Sequence, residues 1–332
     1  MELEKKEEPK KASIAAVRDV SKALLVIKKE MSKVFFGQEK VVASLLRALI
    51  CSGHVLVEGV PGIAKTLVIK TLAQVSGCTF KRIQFTADLL PGDILGMTMY
   101  SQEKGFEVVK GPVFANFVIA DEINRSPPKT QSALIEAMQE GQVTIGNTTY
   151  SLPKPFFVMA NQNPIETEGV YSLPEAQIDR FLFKILMSYP DENSEKMIIE
   201  ENVTFKKFED YGIKTIISPE KINLMQKLTH EIYLDKKLKS YILSIVKKTR
   251  DKDFEYGSYI ELGCSPRASI SLFIAAKAEA LMNGRNFVIP IDIKAVAKDV
   301  LRHRLILSYK ARADKVTPEK IVDEILKIVR AP

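Results

Sequence analysis

From Ser13 onward, apolar residues return every three or four positions: Ile14, Val17, Val20, Leu24, Leu25, Ile27 and Met31. That period predicts an amphipathic helix with Ser13 as its N-cap. A second helix is expected from about Gln38, carrying Val41, Val42, Leu45, Leu46 and Leu49. The rhythm then changes to short apolar runs at His54–Glu58, Lys81–Phe85, Phe117–Ala120, Phe156–Ala160 and Phe181–Leu186. Helical stretches lie between them, Lys65–Ser76 and Thr130–Glu140 among them. Short unbroken apolar runs separated by helices are what a parallel sheet buried on both faces requires. Two polar inserts interrupt the alternation. Val143–Tyr150 alternates about Gly146-Asn147 and reads as a β-hairpin. Residues Ala87–Val113 are too many for a simple crossover and contain Pro91-Gly92-Asp93.

After Tyr189-Pro190-Asp191 the pattern is helical throughout, with apolar periodicity near 194–205, 219–232, 235–249, 266–282, 291–307 and 318–329. Pro219, Pro266, Pro290 and Pro318 each fall near a helix start, where the missing N–H costs nothing. The expected organisation is a Glu/Lys-rich tail over 1–11, an α/β domain over 12–189 and a small all-α domain over 190–332.

Composition narrows the picture by exclusion. Apolar residues make up 46% and charged residues 27% of 332, which excludes disordered and collagen-like classes. Met1 is followed by a charged stretch rather than an apolar leader, and no apolar run is long enough to span a bilayer. The expectation is therefore a cytoplasmic protein with no membrane insertion. Cys51, Cys78 and Cys264, and likewise His54, His230 and His303, are scattered without metal-ligand spacing. The net charge of +7 is spread out, with 22 Lys/Arg against 20 Asp/Glu in residues 1–190 and 26 against 21 beyond. A lysine-rich solvated surface accounts for it better than a nucleic-acid interface.

The candidate chemistry starts at Gly59-Val60-Pro61-Gly62-Ile63-Ala64-Lys65-Thr66, between the first strand and its helix. Such a loop turns consecutive N–H groups toward a phosphate at a helix N-terminus. Lys65 would reach the β/γ-phosphates and the Thr66 hydroxyl would ligate Mg2+. Ala64 stands where a glycine is usual. It is harmless if the backbone there is helical, and costly if the turn demands positive φ. Phe117-Val118-Ile119-Ala120 ends in Asp121-Glu122. Asp121 would hold the magnesium, and Glu122 would deprotonate the attacking water. Phe156–Ala160 leads to Asn161-Gln162-Asn163, where a carboxamide could position that water; Asn163 is favoured and Asn161 is its rival.

Two arginines complete the set. Arg180, just before the fifth strand, could reach a phosphate bound in a neighbouring subunit, or could pair with Asp179 or Glu175; residue type alone weighs these equally. Arg267 follows Ser265-Pro266 at a helix start, where the dipole disfavours a cation. That misplacement points to an anionic partner, the γ-phosphate across the interdomain cleft.

Asp121-Glu122-Ile123-Asn124-Arg125-Ser126-Pro127-Pro128-Lys129-Thr130-Gln131-Ser132-Ala133-Leu134, Gln162-Asn163-Pro164-Ile165-Glu166-Thr167-Glu168-Gly169 and Leu173-Pro174-Glu175-Ala176-Gln177 together resemble the MoxR family of AAA+ ATPases. The resemblance spans about residues 12–330 and accommodates Ala64. It implies an AAA+ P-loop domain with a parallel β-sheet core, a helical lid, and the two inserts of the helix-2-insert branch. It implies ATP hydrolysis with Mg2+ in a ring homo-oligomer, usually a hexamer. By the same resemblance Lys65 and Thr66 are Walker A, Asp121 and Glu122 Walker B, Asn163 sensor 1, Arg180 the arginine finger and Arg267 sensor 2. Gly37-Gln38 resembles the segment flanking the adenine. Family members act as chaperone-like remodellers of client proteins, often with a von Willebrand factor A domain protein. Two rival readings are a nucleic-acid translocase and a nucleotide-gated scaffold with negligible hydrolysis. Against the first, Val143–Tyr150 carries one aromatic and no basic residue; against the second, Glu122, Arg180 and Arg267 all serve turnover.

Overall fold

The computed structural model describes residues 12–332 apart from 61, 104, 164–168 and 203–207. The expected tail over 1–11, Pro61 of the loop and Pro164–Glu168 lie outside the described residues. Two helices lead in, α1 (Ile14–Met31) and α2 (Glu39–Ile50). α1 buries Val17, Val20, Leu24, Ile27 and Met31, the stripe that its spacing predicts. Ile14 and Leu25 are the exceptions, both standing exposed. The Ser13 hydroxyl, expected as a cap, takes no capping hydrogen bond.

The sheet region follows in chain order. β1 (Val55–Gly59) runs into α3 (Lys65–Val75), which returns to β2 (Phe80–Gln84). The long insert folds as one helical turn, α4 (Pro91–Leu95), and a hairpin, β3 (Gly96–Ser101) with β4 (Gly105–Lys110). Then come β5 (Phe117–Asp121), α5 (Pro128–Glu140), the expected hairpin as β6 (Gln142–Ile145) and β7 (Thr148–Ser151), and β8 (Phe157–Gln162). The short α6 (Glu175–Ile178) and β9 (Phe183–Met187) close this part. The five principal strands pair in the order β2-β5-β8-β1-β9, all parallel. The chain leaves β1 toward one edge and later returns on its other side, so the C-terminal end of β1 is a topological switch point.

Side chains alternate across the sheet, as the two-residue period of a strand demands. Val55, Val57, Phe117, Ile119, Phe157 and Met159 enter one apolar core, whereas Leu56, Val118, Ala120, Val158 and Ala160 enter the other.

The remainder comprises α7 (Glu192–Asn202), α8 (Pro219–Glu231), α9 (Lys236–Lys248), β10 (Ile260–Leu262), α10 (Pro266–Met282), α11 (Pro290–Leu301), β11 (Ile306–Leu307), α12 (Tyr309–Ala313) and α13 (Pro318–Ile328). Pro219, Pro266, Pro290 and Pro318 are each the first residue of a helix. The Ser218, Ser265 and Thr317 side chains cap three of those starts by accepting from the backbone N–H groups of Lys221, Arg267 and Lys320. The expectation of helix throughout needs one correction. The stretch expected as helix to 307 leaves the helix after Leu301, and Ile306–Leu307 pairs antiparallel with Ile260–Leu262. The first of the two cores does not stop at the sheet. It runs without a break from β1 through α2 and α10 to Ile321, Val322 and Ile325 of α13. Among the described residues, no helix is long and apolar enough to cross a membrane.

Candidate functional site

The loop after β1 opens the site. Gly59 ends the strand, Gly62 has φ +81° and Lys65 starts α3. Ala64 has φ 62° and ψ 31°, so the turn does demand the left-handed region there, and the condition under which Ala64 would be harmless is not met. An L-residue in that region costs about 1–2 kcal/mol. The Lys65 ammonium donates to the Gly59 carbonyl, closing the loop on itself.

A cavity of about 500 Å³ lies against this loop, lined by Gly62, Ile63, Ala64, Lys65, Thr66 and Leu67 on one side. Asp121, Glu122, Asn161 and Asn163 line the other. The four come together because β5 and β8 are neighbours in parallel register and end side by side. Asp121 is the last residue of β5, and Glu122 follows with φ 55° and ψ 50°, a second left-handed non-glycine residue. Asn161 is buried and holds this pair. Its amide donates to Asp121 Oδ1, and its carbonyl oxygen accepts from the Glu122 backbone N–H at 2.7 Å. Asn163 lines the cavity two residues on.

Residue-type reasoning did not single out Arg82 and Gln84, and both sit at the carboxylates. Arg82 donates to Asp121 Oδ2 through Nε at 2.9 Å and Nη2 at 2.6 Å. Gln84 Nε2 donates to Glu122 Oε2 at 2.8 Å, and Arg125 Nε lies 3.1 Å from the same oxygen. β2 brings Arg82 and Gln84 there by pairing with β5, matching Gln84 to Asp121. The only signal in the chain was a polar alternation, Lys81, Arg82 and Gln84 about a buried Ile83, in a strand whose neighbour was unknown.

A second cavity of about 400 Å³ shares Gly62, Ile63, Ala64 and Leu67 with the first. Phe35, Phe36, Gln38, Tyr189, Pro190 and Ile198 also line it. Gly37 has φ +70°, and a Cβ there would collide with Ser194. Gln38 Nε2 donates to the Ser188 carbonyl, whereas its Oε1 is buried without a partner among the described residues. Val60, the remaining loop position, packs half-buried against the core.

The two distal arginines stand together, away from the cavity. Arg180 follows α6 in a turn, exposed, and forms no ion pair among the described residues. Asp179, one of its two expected partners, is already engaged: its carboxylate accepts from Ser265 Oγ at 2.8 Å and from Arg304 Nε at 2.8 Å. Arg267, at the second position of α10, lies 3.7 Å from the same carboxylate. Arg267 is therefore beside the Arg180 segment and does not line the phosphate-loop cavity of its own chain.

Comparison with known proteins identifies the fold and the family. The family described as "ATPase family associated with various cellular activities (AAA)" matches residues 54–183, and an "AAA lid domain" family matches residues 257–325. The chain is 46% identical over 309 residues to a Mycobacterium tuberculosis protein named Chaperone MoxR1, covering 91% of this chain and 81% of that one. It is 27% identical over 341 residues to Protein MoxR of Methylorubrum extorquens, covering 96% and 98%. A crystal structure of a candidate ATPase from Cytophaga hutchinsonii superposes with a TM-score of 0.88 at 45% identity, covering 96% of this chain and 97% of that one. With a parallel-sheet core, a helical lid region and close relatives along nearly its whole length, this chain belongs to the MoxR family of AAA+ ATPases.

Proposed function

We propose that the chain hydrolyses ATP, as its magnesium complex, at sites shared between the subunits of a ring, and uses the cycle to remodel a client protein. The observation that carries this reading is the cavity in which the loop Gly59–Thr66 faces Asp121 and Glu122. The triphosphate would lie on the N-terminus of α3, where backbone N–H groups and the helix dipole favour an anion. Lys65 would exchange the Gly59 carbonyl for phosphate oxygens. The base would occupy the adjoining cavity, whose Gln38 Oε1 is a buried acceptor in want of a donor such as an exocyclic amine. Thr66 and Asp121 offer hard oxygen donors from opposite walls of one cavity, which suits Mg2+. When bound, the ion would neutralise charge on the β- and γ-phosphate oxygens.

Glu122 takes the proton of the attacking water in this reading. Asn161 fixes Glu122 from behind, and Asn163, facing the cavity, is the side chain we assign to orienting the water. Arg180 and Arg267 would stabilise the γ-phosphate of a neighbouring subunit, Arg267 acting beside Arg180 rather than across its own cleft. A hexameric ring, a von Willebrand factor A domain partner and a cytoplasmic location belong to the same proposal. The location is supported by three free cysteines, and the nucleic-acid alternative is weakened by the β6–β7 hairpin, which carries no Lys or Arg.

Subunit mixing tests it. Arg180→Ala and Lys65→Ala proteins should each be inactive, the first for want of a finger and the second for want of a phosphate grip. A mixed ring sets an intact finger against an intact loop at some interfaces, so the mixture should recover ATPase activity. If mixed rings form and remain inactive, the shared-site reading fails.

A further inference from the structure

Arg304 is a buried cation of the helical part, its side chain 2% exposed. It lies just beyond α11, yet it reaches back to the segment between α6 and β9. Its guanidinium donates five hydrogen bonds there and nearby. Nε reaches Asp179 Oδ1 at 2.8 Å; Nη2 reaches the carbonyls of Asp179 at 3.0 Å and Phe181 at 2.7 Å; Nη1 reaches those of Leu182 at 3.2 Å and Val300 at 2.5 Å. His303 Nε2 also contacts the Phe181 carbonyl, at 3.1 Å. The acceptors on residues 179 and 181 bracket Arg180 on both sides. Phe181 is itself fully buried, Leu182 N–H is tied to the His54 carbonyl, and Arg180 N–H is tied to Gln177. The backbone at Arg180 is thus fastened from before and after, and the exposed Arg180 side chain keeps most of the freedom left in the segment.

Stability alone does not explain such a group. Burying a guanidinium is expensive, and well-packed apolar side chains of similar volume often stabilise a core as well or better. What an apolar residue cannot supply is a planar fork that fixes two carbonyls and a carboxylate at set directions. We propose that Arg304 is a positioning residue for Arg180: the helical lid, through this one guanidinium, sets the direction in which Arg180 leaves the subunit. The proposal rests on reading Arg180 as the residue that acts on a neighbour's nucleotide. It adds that finger geometry is governed by the lid of the finger's own subunit. Asp179 is the shared terminal of this linkage, since the Ser265 hydroxyl and Arg267 at the head of α10 converge on it.

The test uses Arg304→Lys, which keeps the charge but has three donors for five acceptors, and Asp179→Asn, which leaves the guanidinium in place. A displacement near 1 Å at a catalytic group can cost about 10²-fold in rate, so kcat should fall about 10- to 100-fold, with KM for ATP held within about twofold. The positional signature is in mixing. Arg304→Lys subunits keep a sound phosphate loop, so they should regain activity with Lys65→Ala subunits and gain nothing with Arg180→Ala subunits. A general lid defect would not obey that partner rule. Wild-type kcat in folded Arg304→Lys and Asp179→Asn would overturn the proposal, as would loss of activity that mixing with Lys65→Ala does not restore. If Arg304→Lys does not fold, Asp179→Asn decides by the same readings. Arg180→Ala separates the two levels. If it retains turnover, the finger reading falls and takes this one with it; if it is inactive and complementable while Arg304→Lys turns over normally, only the positioning role falls.

Discussion

Replacing Ala64 by glycine removes one methyl group from the phosphate loop, and the structure sets the sign of the effect. With φ at 62° and ψ at 31°, the Ala64 Cβ crowds its own backbone. Relief of that strain is worth about 1–2 kcal/mol. Against it, glycine gives the unfolded chain extra freedom worth about 0.4–1 kcal/mol. The difference is a stabilisation of about 0.5–1 kcal/mol, or about 1 °C in Tm for a cooperative unit of this length. Urea midpoints with a common slope would read it directly. Two companions sharpen the test. Ala64→Val should move the opposite way, because a β-branched residue is a genuine outlier at positive φ. Gly62→Ala meets no atom within 4 Å of its new Cβ and has φ +81°, so it should lose stability through backbone strain alone. If Ala64→Gly lowers the midpoint while Gly62→Ala leaves it unchanged, the left-handed loop is wrong and the position is helical.

Three further outcomes follow from the site and the core. Lys65→Ala should abolish ATP binding by calorimetry, because among the described residues lining the cavity Lys65 is the one cation, set beside a loop of neutral backbone donors; unchanged affinity would count against the phosphate loop. Glu122→Gln should bind ATP about as tightly as wild type and hydrolyse it at least about 100-fold more slowly; more than half the wild-type rate in a phosphate-release assay would move the base elsewhere. His54 accepts the Val158 N–H at Nδ1 and faces the Met138 carbonyl through Nε2, and burial lowers its pKa from 6.5 to about 4. The unfolded chain then takes up a proton that the folded protein refuses, so stability falls on acidification from about pH 6.5 toward 4, by about 1–2 kcal/mol at pH 5. His303, also lowered by burial, acts in the same direction. A urea midpoint flat between pH 7 and 5 would contradict a neutral buried His54.

What could be read from the chain was whatever local sequence and burial decide together. Three of the five strands, β1, β5 and β8, were legible because they are buried on both faces, which leaves little room for polar residues until they end. Their ends are also where Gly59, Asp121 and Asn161 appear, so the cavity walls were legible with them. The β3–β4 hairpin was not, because neither of its faces enters a core: Met97, Met99, Tyr100, Phe106, Val108 and Val109 are all exposed, and no inside–outside alternation marks it. Arg82 and Gln84 depended on β2 pairing with β5, a sheet order that no local pattern encodes. The place of Arg267 was equally hidden. A helix dipole says that an arginine at a helix start needs an anion, but not that Asp179, 88 residues earlier in the chain, supplies a carboxylate.

The unbroken core from β1 to α13 has a mechanical consequence. A flap that swings must part from its seat along a surface that water can wet cheaply, and here that surface is apolar. At about 25 cal/mol for each Å² exposed, even a few hundred Å² would consume most of what one phosphate-loop ligand could return. Parting the helical part from the sheet would expose this apolar seat, so separation of the two is costly. A shared core of this kind predicts that the protomer unfolds in one transition. In the proposed ring, nucleotide-driven displacement is then to be sought between protomers, measured as rotation of whole copies against one another, with distances inside each copy nearly constant.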